Sequence, residues 1–143
     1  MLHVEKSVVV QRPIEEVFTF IDIPVNLIDI WPNMVEIKDV QPAAGGGHNF
    51  RWVYKMAGFS LEGTSTVTEY VPNQRIVNKN TGPMESVVTF LFAPEGTGTR
   101  VTFQSDYDIP GNVLGMLAKP LISMQNERDI DALLSNLKKH LDR

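Results

Sequence analysis

His48 and Glu69 are the two residues of this sequence whose types and spacing best suit proton transfer. They lie in neighbouring β-rich segments, and an uninterrupted antiparallel pairing of those segments brings the imidazole and the carboxylate face to face. A carboxylate fixes the tautomer of a neighbouring imidazole and stabilises its charged form, so such a pair can act as general acid and base. The alternative is an ordinary exposed cross-strand pair near the strand ends. We therefore treat His48 and Glu69 as candidate catalytic residues.

The pairing of these two residues depends on a hairpin register that the sequence suggests. A tight turn at residues 58–59 makes one face of the hairpin apolar and the other polar, with Lys55 opposite Glu62 on the polar face. We also expect open space where Gly63 faces Tyr54, because glycine has no side chain. The expected inner pairs are Met56 with Leu61, Tyr54 with Gly63, Trp52 with Ser65 and Phe50 with Val67.

A second hairpin turns around residues 94–98 and pairs its strands in the same way. The segment between the two hairpins turns at residues 71–74 and continues the inner face with Ile76, Asn78 and Asn80. Here this face becomes polar, and buried polar groups without partners cost about 1–3 kcal/mol each. Water or a ligand should therefore bind them. The expected inner pairs of the second hairpin are Phe92 with Val101, Phe90 with Phe103, Val88 with Ser105 and Ser86 with Tyr107.

The candidate ligand-binding residues share this inner face or the elements that face it. Aromatic side chains supply apolar contact area, serine and asparagine supply hydrogen bonds, and methionine adapts to varied shapes. Each aromatic residue taken alone is equally suited to filling a core. The candidates are Trp31, Trp52, Tyr54, Met56, Ser65, Asn78, Ser86, Phe103, Ser105, Tyr107, Met116 and Leu117.

Helical spacing of apolar residues predicts the elements that face the sheet. Pro13 suits the first position of a short helix with apolar residues from Ile14 to Ile21. A second short helix covers Val25 to Ile30, directly before Trp31. The stretch from Asn112 to Leu141 carries leucines at three- and four-residue steps, which predicts one long amphipathic C-terminal helix.

The expected architecture is an α+β fold in which one curved antiparallel β-sheet wraps around the long C-terminal α-helix. Its strands are residues 3–11, residues 34–41 and the strands of the registered hairpins. Gly111, Gly115 and Pro120 weaken the start of the long helix. We expect that end to move and to form, with Trp31, the gate for an apolar ligand.

Composition excludes several classes of function. The 143 residues, 43% hydrophobic and 21% charged, suit a single domain covering residues 1–143. The sequence has no cysteine, which excludes disulfides and thiolate chemistry, and its net charge of −4 argues against a nucleic-acid partner. Because the sequence has neither a signal peptide nor an apolar run long enough to span a membrane, we expect a cytoplasmic protein. The three histidines lack metal-ligand spacing and no cofactor motif occurs, so we expect no metal and no cofactor.

Four short motifs together carry a resemblance to a known family. They are RPIEEVF at residues 12–18, WP at 31–32, GTRVT at 98–102 and LSNLK at 134–138. In this combination the whole chain resembles the SRPBCC superfamily, which includes START lipid-transfer domains and pollen-allergen-like proteins, and within it the polyketide cyclase/dehydrase-like branch. The resemblance implies a helix-grip fold with two short helices after the first strand, a cavity between sheet and helix, and ligands that range from lipids to polyketides. It fixes no reaction, because the family shares a container and not a catalytic motif.

Three functions remain open on this sequence. The first is the binding, transport or processing of a small hydrophobic molecule, lipid-like or polyketide and aromatic, in the internal cavity. The second is a cyclase or dehydratase type of enzyme that uses an acid/base pair in the cavity. The third is a protein-interaction module with a filled interior. The sequence does not fix the oligomeric state.

Overall fold

The computed structural model describes residues 2–56, 58–83, 85–108 and 119–142. For Met56 and residues 119–122 it describes the backbone only. The elements, in chain order, are β1 Leu2–Val10, α1 Ile14–Asp22, α2 Asn26–Ile30, β2 Met34–Pro42, β3 His48–Met56, β4 Phe59–Val71, β5 Arg75–Thr81, β6 Ser86–Glu95, β7 Gly98–Tyr107 and α3 Lys119–Leu141.

The strands form one antiparallel sheet in the order β1-β7-β6-β5-β4-β3-β2. The sheet curves around α3, which packs against β1 and α2 and buries Ile130, Leu133 and Leu137. This arrangement is the predicted α+β helix-grip fold. No helix in the described ranges is long and apolar enough to cross a membrane.

Both short helices end at a residue that precedes proline. Ile23 has φ −90° and ψ 106°, and Trp31 has φ −102° and ψ 102°, so both residues are extended. A following proline disfavours the helical conformation of the residue before it, and this explains why α1 stops before Pro24 and α2 before Pro32. The stop after α2 fixes Trp31 at the point where the chain turns toward β2.

The C-terminal helix is predicted for residues 112–141, and the structure describes it as Lys119–Leu141. Residues 109–118 lie outside the described residues. They include much of the predicted gate and the candidate ligand-binding residues Met116 and Leu117. Among the polar contacts that fasten the helix to its neighbours are two hydrogen bonds from its side chains to backbone carbonyls. Asn136 Nδ2 donates a hydrogen bond to the Ile30 carbonyl at 3.0 Å, and Lys138 Nζ donates one to the Val9 carbonyl at 2.8 Å.

The β3–β4 hairpin keeps the predicted inner face but not the predicted register. Met56 pairs with Phe59, so Tyr54 lies opposite Leu61 and Trp52 opposite Gly63, and the predicted register is wrong by two residues. The physical reason is the turn: only residues 57 and 58 connect the strands, and Gly58 has the positive φ of 83° that a two-residue hairpin favours. An even shift leaves every side chain on its predicted face. The β6–β7 register is confirmed at all four predicted pairs.

Irregular pairing occurs in two strands of the sheet. In β4 the register shifts between Val67 and Glu69, because a β-bulge places an extra residue there. In β2 it shifts twice, between Met34 and Glu36 and between Lys38 and Gln41. The second shift includes Asp39, whose φ is 53°.

Candidate functional site

A cavity lies between the inner face of the sheet, the end of α1, α2 and α3. The volume of the cavity is about 80 Å³. Aromatic and aliphatic side chains make up most of its wall, among them Trp31, Trp52, Tyr54, Phe50 and Phe90. A mostly apolar cavity with a few polar groups is the usual form of a small-molecule site.

One wall of the cavity is a polar patch on neighbouring strands β4, β5 and β6. Asn78 Nδ2 donates a hydrogen bond to Ser65 Oγ at 2.9 Å, and Asn80 Nδ2 donates one to Ser86 Oγ at 3.0 Å. These two bonds satisfy one donor of each amide. Serine hydroxyls can still donate, and amide oxygens can still accept. The patch therefore offers further hydrogen bonds to a molecule in the cavity.

Tyr54 connects the cavity wall to α3. Its hydroxyl donates a hydrogen bond to Asp129 Oδ2 at 2.9 Å, and Asn33 Nδ2 donates to the same oxygen at 2.5 Å. Burial raises the pKa of the Tyr54 hydroxyl far above its ordinary value, and the charge of Asp129 raises it further. Tyr54 is therefore a neutral donor that holds the Asp129 carboxylate.

A second carboxylate, Asp22, lies at the end of α1 and lines the cavity together with His48. Tyr70 Oη donates a hydrogen bond to Asp22 Oδ2 at 2.8 Å, while His48 Nδ1 lies 3.6 Å from Asp22 Oδ1, too far for a hydrogen bond. Burial, followed by the hydrogen bond to Asp22, raises the pKa of Tyr70 to about 12. Tyr70 thus stays protonated and orients the carboxylate toward the imidazole.

The glycine loop before β3 packs closely against the Tyr70 ring. A Cβ atom on Gly46 would lie 2.7 Å from Tyr70 Cε1, and Gly46 also has a φ of 105°. A Cβ atom on Gly47 would lie 3.0 Å from Tyr70 Cδ2. Only glycine allows the loop to pack this closely against the ring.

Three buried nitrogen atoms of the site have no hydrogen-bond partner among the described residues: Trp31 Nε1, Trp52 Nε1 and His48 Nδ1. Trp31 Nε1 lies close to the Tyr54 hydroxyl, although without hydrogen-bond geometry. An indole nitrogen can only donate, and no described residue accepts a hydrogen bond from either indole. Buried donors of this kind point to water or to a ligand in the cavity.

The sequence matches a family model described as polyketide cyclase / dehydrase and lipid transport over residues 1–142. The chain belongs to this family. The resemblance found in the sequence is thereby confirmed. A comparison with curated proteins gives no match.

Solved structures of several other proteins share this fold. A Thermus thermophilus protein, TTHA0849, is 21% identical with a TM-score of 0.84, and the match covers 98% of this chain and 97% of that one. A START superfamily protein from Mycobacterium smegmatis is 15% identical with a TM-score of 0.79, covering 98% of this chain and 97% of that one. The di-domain ARO/CYC protein BexL from the BE-7585A biosynthetic pathway is 16% identical with a TM-score of 0.74, covering 99% of this chain and 50% of that one.

The cavity of this family member contains most of the predicted ligand-binding residues. Phe103 is the exception among the aromatic residues: it is fully buried and packs edge-on against Trp31 and Phe90 behind the wall. The side chain of Met56 and the residues Met116 and Leu117 lie outside what the structure describes. Those that line the cavity are Trp31, Trp52, Tyr54, Ser65, Asn78, Ser86, Ser105 and Tyr107.

Of the predicted acid/base pair, His48 lies at the site and Glu69 does not. His48 lines the cavity, but the bulge in β4 turns Glu69 to the outer face, where it accepts a hydrogen bond from Arg75 at 3.0 Å. The same bulge brings Tyr70 inward, in contact with Asp22. The expected contact of His48 with Glu69 is therefore wrong, and Asp22 is the carboxylate beside His48. Among the described ranges, no three His, Asp or Glu side chains lie close enough to bind a metal ion.

Sequence reasoning placed neither Asp22 nor Asn126 at the cavity, although both polar residues line it. Asn126 had a signal, since it lies one helical turn before Ile130 on the apolar stripe of α3 and is 7% exposed. Asp22 had none, because only the packing of α1 against the sheet brings it to His48. The apolar lining residues that were placed neither on the inner face nor among the candidates are Ile21, Pro24, Leu27, Met34 and Ile130.

Proposed function

We propose that this protein binds a small hydrophobic molecule, lipid-like or polyketide and aromatic, in the cavity between the sheet and α3. The observation that carries the proposal is an unfilled apolar cavity whose wall contains buried indole nitrogens without acceptors. The family description and the fold shared with START and ARO/CYC proteins support the same class of ligand. A protein-interaction module would not need an interior of this kind.

Native mass spectrometry of the purified protein tests the binding function. We expect a non-covalent adduct of small mass that organic extraction releases. Val88→Phe places a ring into the cavity and should abolish the adduct, because Val88 is buried and lines it. The matched control is Thr89→Phe, which adds the same ring at the neighbouring position on the opposite face of β6.

The control variant should retain the adduct. Wild-type protein with no adduct from any expression host, and with no thermal stabilisation by hydrophobic probes, would contradict the binding function. An adduct that survives in folded Val88→Phe would place the ligand elsewhere.

A second function, proton transfer to the bound molecule, is favoured by one observation. His48 and Asp22 both line the cavity, and the imidazole nitrogen that lies 3.6 Å from the carboxylate has no hydrogen-bond partner. A small inward movement would let Asp22 orient the ring, and the other ring nitrogen would then exchange a proton with the ligand. Such an enzyme would be of the cyclase or dehydratase type.

Exchange of carbon-bound protons tests this second function without knowledge of the substrate. In D₂O, a general base removes a proton from the carbon beside the carbonyl of 1-indanone, and a deuteron from solvent replaces it. If His48 is that base, the protein should accelerate exchange, and His48→Gln should reduce the acceleration by about 100-fold or more. Glu69→Gln is the matched control and should retain it. Exchange at the buffer rate, or loss in both variants, would reject a proton-transfer role for His48.

A further inference from the structure

The indole of Trp52 lies in the wall of the cavity with its nitrogen unpaired. Trp52 is 3% exposed, and its Nε1 has no hydrogen-bond partner among the described residues. Trp31 differs, because its Nε1 lies close to the Tyr54 hydroxyl, whose oxygen can accept a hydrogen bond after a small adjustment. Trp52 is therefore the indole for which the described residues offer no acceptor.

The position of this indole is fixed by the strand beside it. Trp52 pairs with Gly63, and a Cβ atom on Gly63 would collide with Cζ2 of the indole and lie 2.7 Å from Cη2. The ring thus rests on bare backbone, close to the Thr81 carbonyl on β5. A ring held in this way presents its N–H with a preset direction, which is what a specificity-determining donor requires.

The charges around the cavity restrict the acceptor to a neutral group. Among the described lining residues there is no lysine or arginine, and the one carboxylate is Asp22. An anionic ligand would face Asp22 without a counter-ion, apart from His48 in its protonated form. A carbonyl or ether oxygen accepts a hydrogen bond from an indole without carrying a charge.

We infer that Trp52 donates a hydrogen bond to a neutral carbonyl-type oxygen of the ligand, so that the protein selects apolar molecules with such an oxygen over plain hydrocarbons. This inference rests on the proposed binding function and narrows its ligand class. The polar patch around Ser65 and Asn78 faces the same cavity and provides hydrogen bonds to further oxygen atoms.

A pair of probes that differ in one carbonyl tests the inference. Indane and 1-indanone share the same bicyclic skeleton, and titrations followed by NMR give the dissociation constant of each. We expect wild type to bind 1-indanone about fivefold more tightly than indane, the ratio that one hydrogen bond typically provides. Trp52→Phe should bind both probes equally. Trp31→Phe is the matched control and should keep the preference, whatever its effect on overall affinity.

The two tryptophans of the chain give a second readout that does not depend on the Trp52 variant folding. Trp31→Phe assigns the remaining indole N–H signal to Trp52. That proton should move downfield with 1-indanone and much less with indane, because a hydrogen bond to a carbonyl deshields it. Tight binding of both probes without preference, or an unmoved Trp52 signal, overturns the inference and leaves the binding function intact. Failure of both probes to bind contradicts the binding function itself.

Discussion

Gly63 shows how a single missing side chain determines the shape of the site. From the sequence alone, Gly63 is expected to leave open space opposite Tyr54. In the structure Gly63 lies opposite Trp52, and the indole occupies that space. The sequence therefore placed Gly63 on the correct face of the sheet but opposite the wrong residue. A two-residue error in register changes the cross-strand partner without changing the face.

Replacing Gly63 with alanine should lower the free energy of unfolding by about 1–3 kcal/mol, the usual cost of overpacking. The new methyl group would meet the Trp52 ring and the Thr81 carbonyl, and backbone cannot move aside as a flexible side chain can. Gly45→Ala is the control, since a Cβ atom there meets nothing within 4 Å. Urea denaturation should place the Gly45 variant within about 0.5 kcal/mol of wild type. Equal effects would mean that Trp52 is not seated on Gly63.

The two buried tyrosines of the cavity wall should respond differently to loss of the hydroxyl. Tyr54→Phe removes a hydrogen bond to the Asp129 carboxylate and should cost about 1–3 kcal/mol of stability. Tyr107→Phe should be nearly neutral, because the Tyr107 hydroxyl has no partner among the described residues. For scale, Leu134→Ala in the packed core should cost about 2–5 kcal/mol. Thermal and urea unfolding give all three values, and a large loss for Tyr107→Phe would contradict this order.

The sequence predicted the bounds of the short helices better than the pairing of the strands. The bounds of α1 and α2 follow from local rules at Pro13, Pro24 and Pro32, so both helices were predicted to within one residue of their observed limits. The bulge between Val67 and Glu69 in β4 has no local signal in the sequence, because it is a feature of the pairing of β4 with β5. Because of this bulge, Tyr70 and not Glu69 lies on the inner face. The carboxylate of the candidate site was therefore beyond prediction from sequence, whereas its histidine was not.

The pairing of β1 with β7 adds a pH-dependent contact at the sheet edge. His3 Nδ1 lies 2.6 Å from Asp106 Oδ1 across the two strands, and this hydrogen bond raises the pKa of His3 above its ordinary value of 6.5. Partial loss of hydration opposes the shift, and the charges of Asp106 and Glu5 support it. A raised histidine pKa stabilises the fold below the unfolded-state pKa, and this contribution is lost as the pH rises through the folded-state pKa.

NMR titration of the three histidines should therefore give a pKa for His3 above 6.5 in wild type. Asp106→Asn should lower that pKa toward the ordinary value. The stability difference between wild type and the variant should be largest at mildly acidic pH and should shrink as the pH rises. An unchanged pKa for His3 in Asp106→Asn would show that the contact is not formed in solution.

The molecule as a whole keeps an unfilled interior that a purely structural domain would not need. Its core residues line both sides of the cavity, from Phe90 on the sheet to Ile130 on α3. Natural proteins accept lower stability where function requires open space. Stability and ligand affinity should therefore respond in opposite directions when the space is filled.

Ser105→Val is the variant that separates these two properties. Ser105 is 6% exposed, lines the cavity and lies between Val4 and Val88 in the sheet. Valine suits a strand and fills part of the space, so stability should rise by about 0.5–2 kcal/mol while 1-indanone binds more weakly. Gln104→Val, on the opposite face of β7, should leave binding unchanged. A Ser105→Val protein that is less stable and binds as before would contradict the account of the cavity.

The irregular register of β2 also protects the protein against edge-to-edge aggregation. As the last strand of the sheet, β2 has an edge that pairs with no other described strand, and it carries the exposed apolar residues Val35 and Val40. A straight edge of that composition invites strand addition by a second chain and the start of fibrous aggregation. The two register shifts, the left-handed Asp39 and the closing Pro42 interrupt the row of amide and carbonyl groups. Straightening this strand by engineering would therefore endanger solubility even where it improved local geometry.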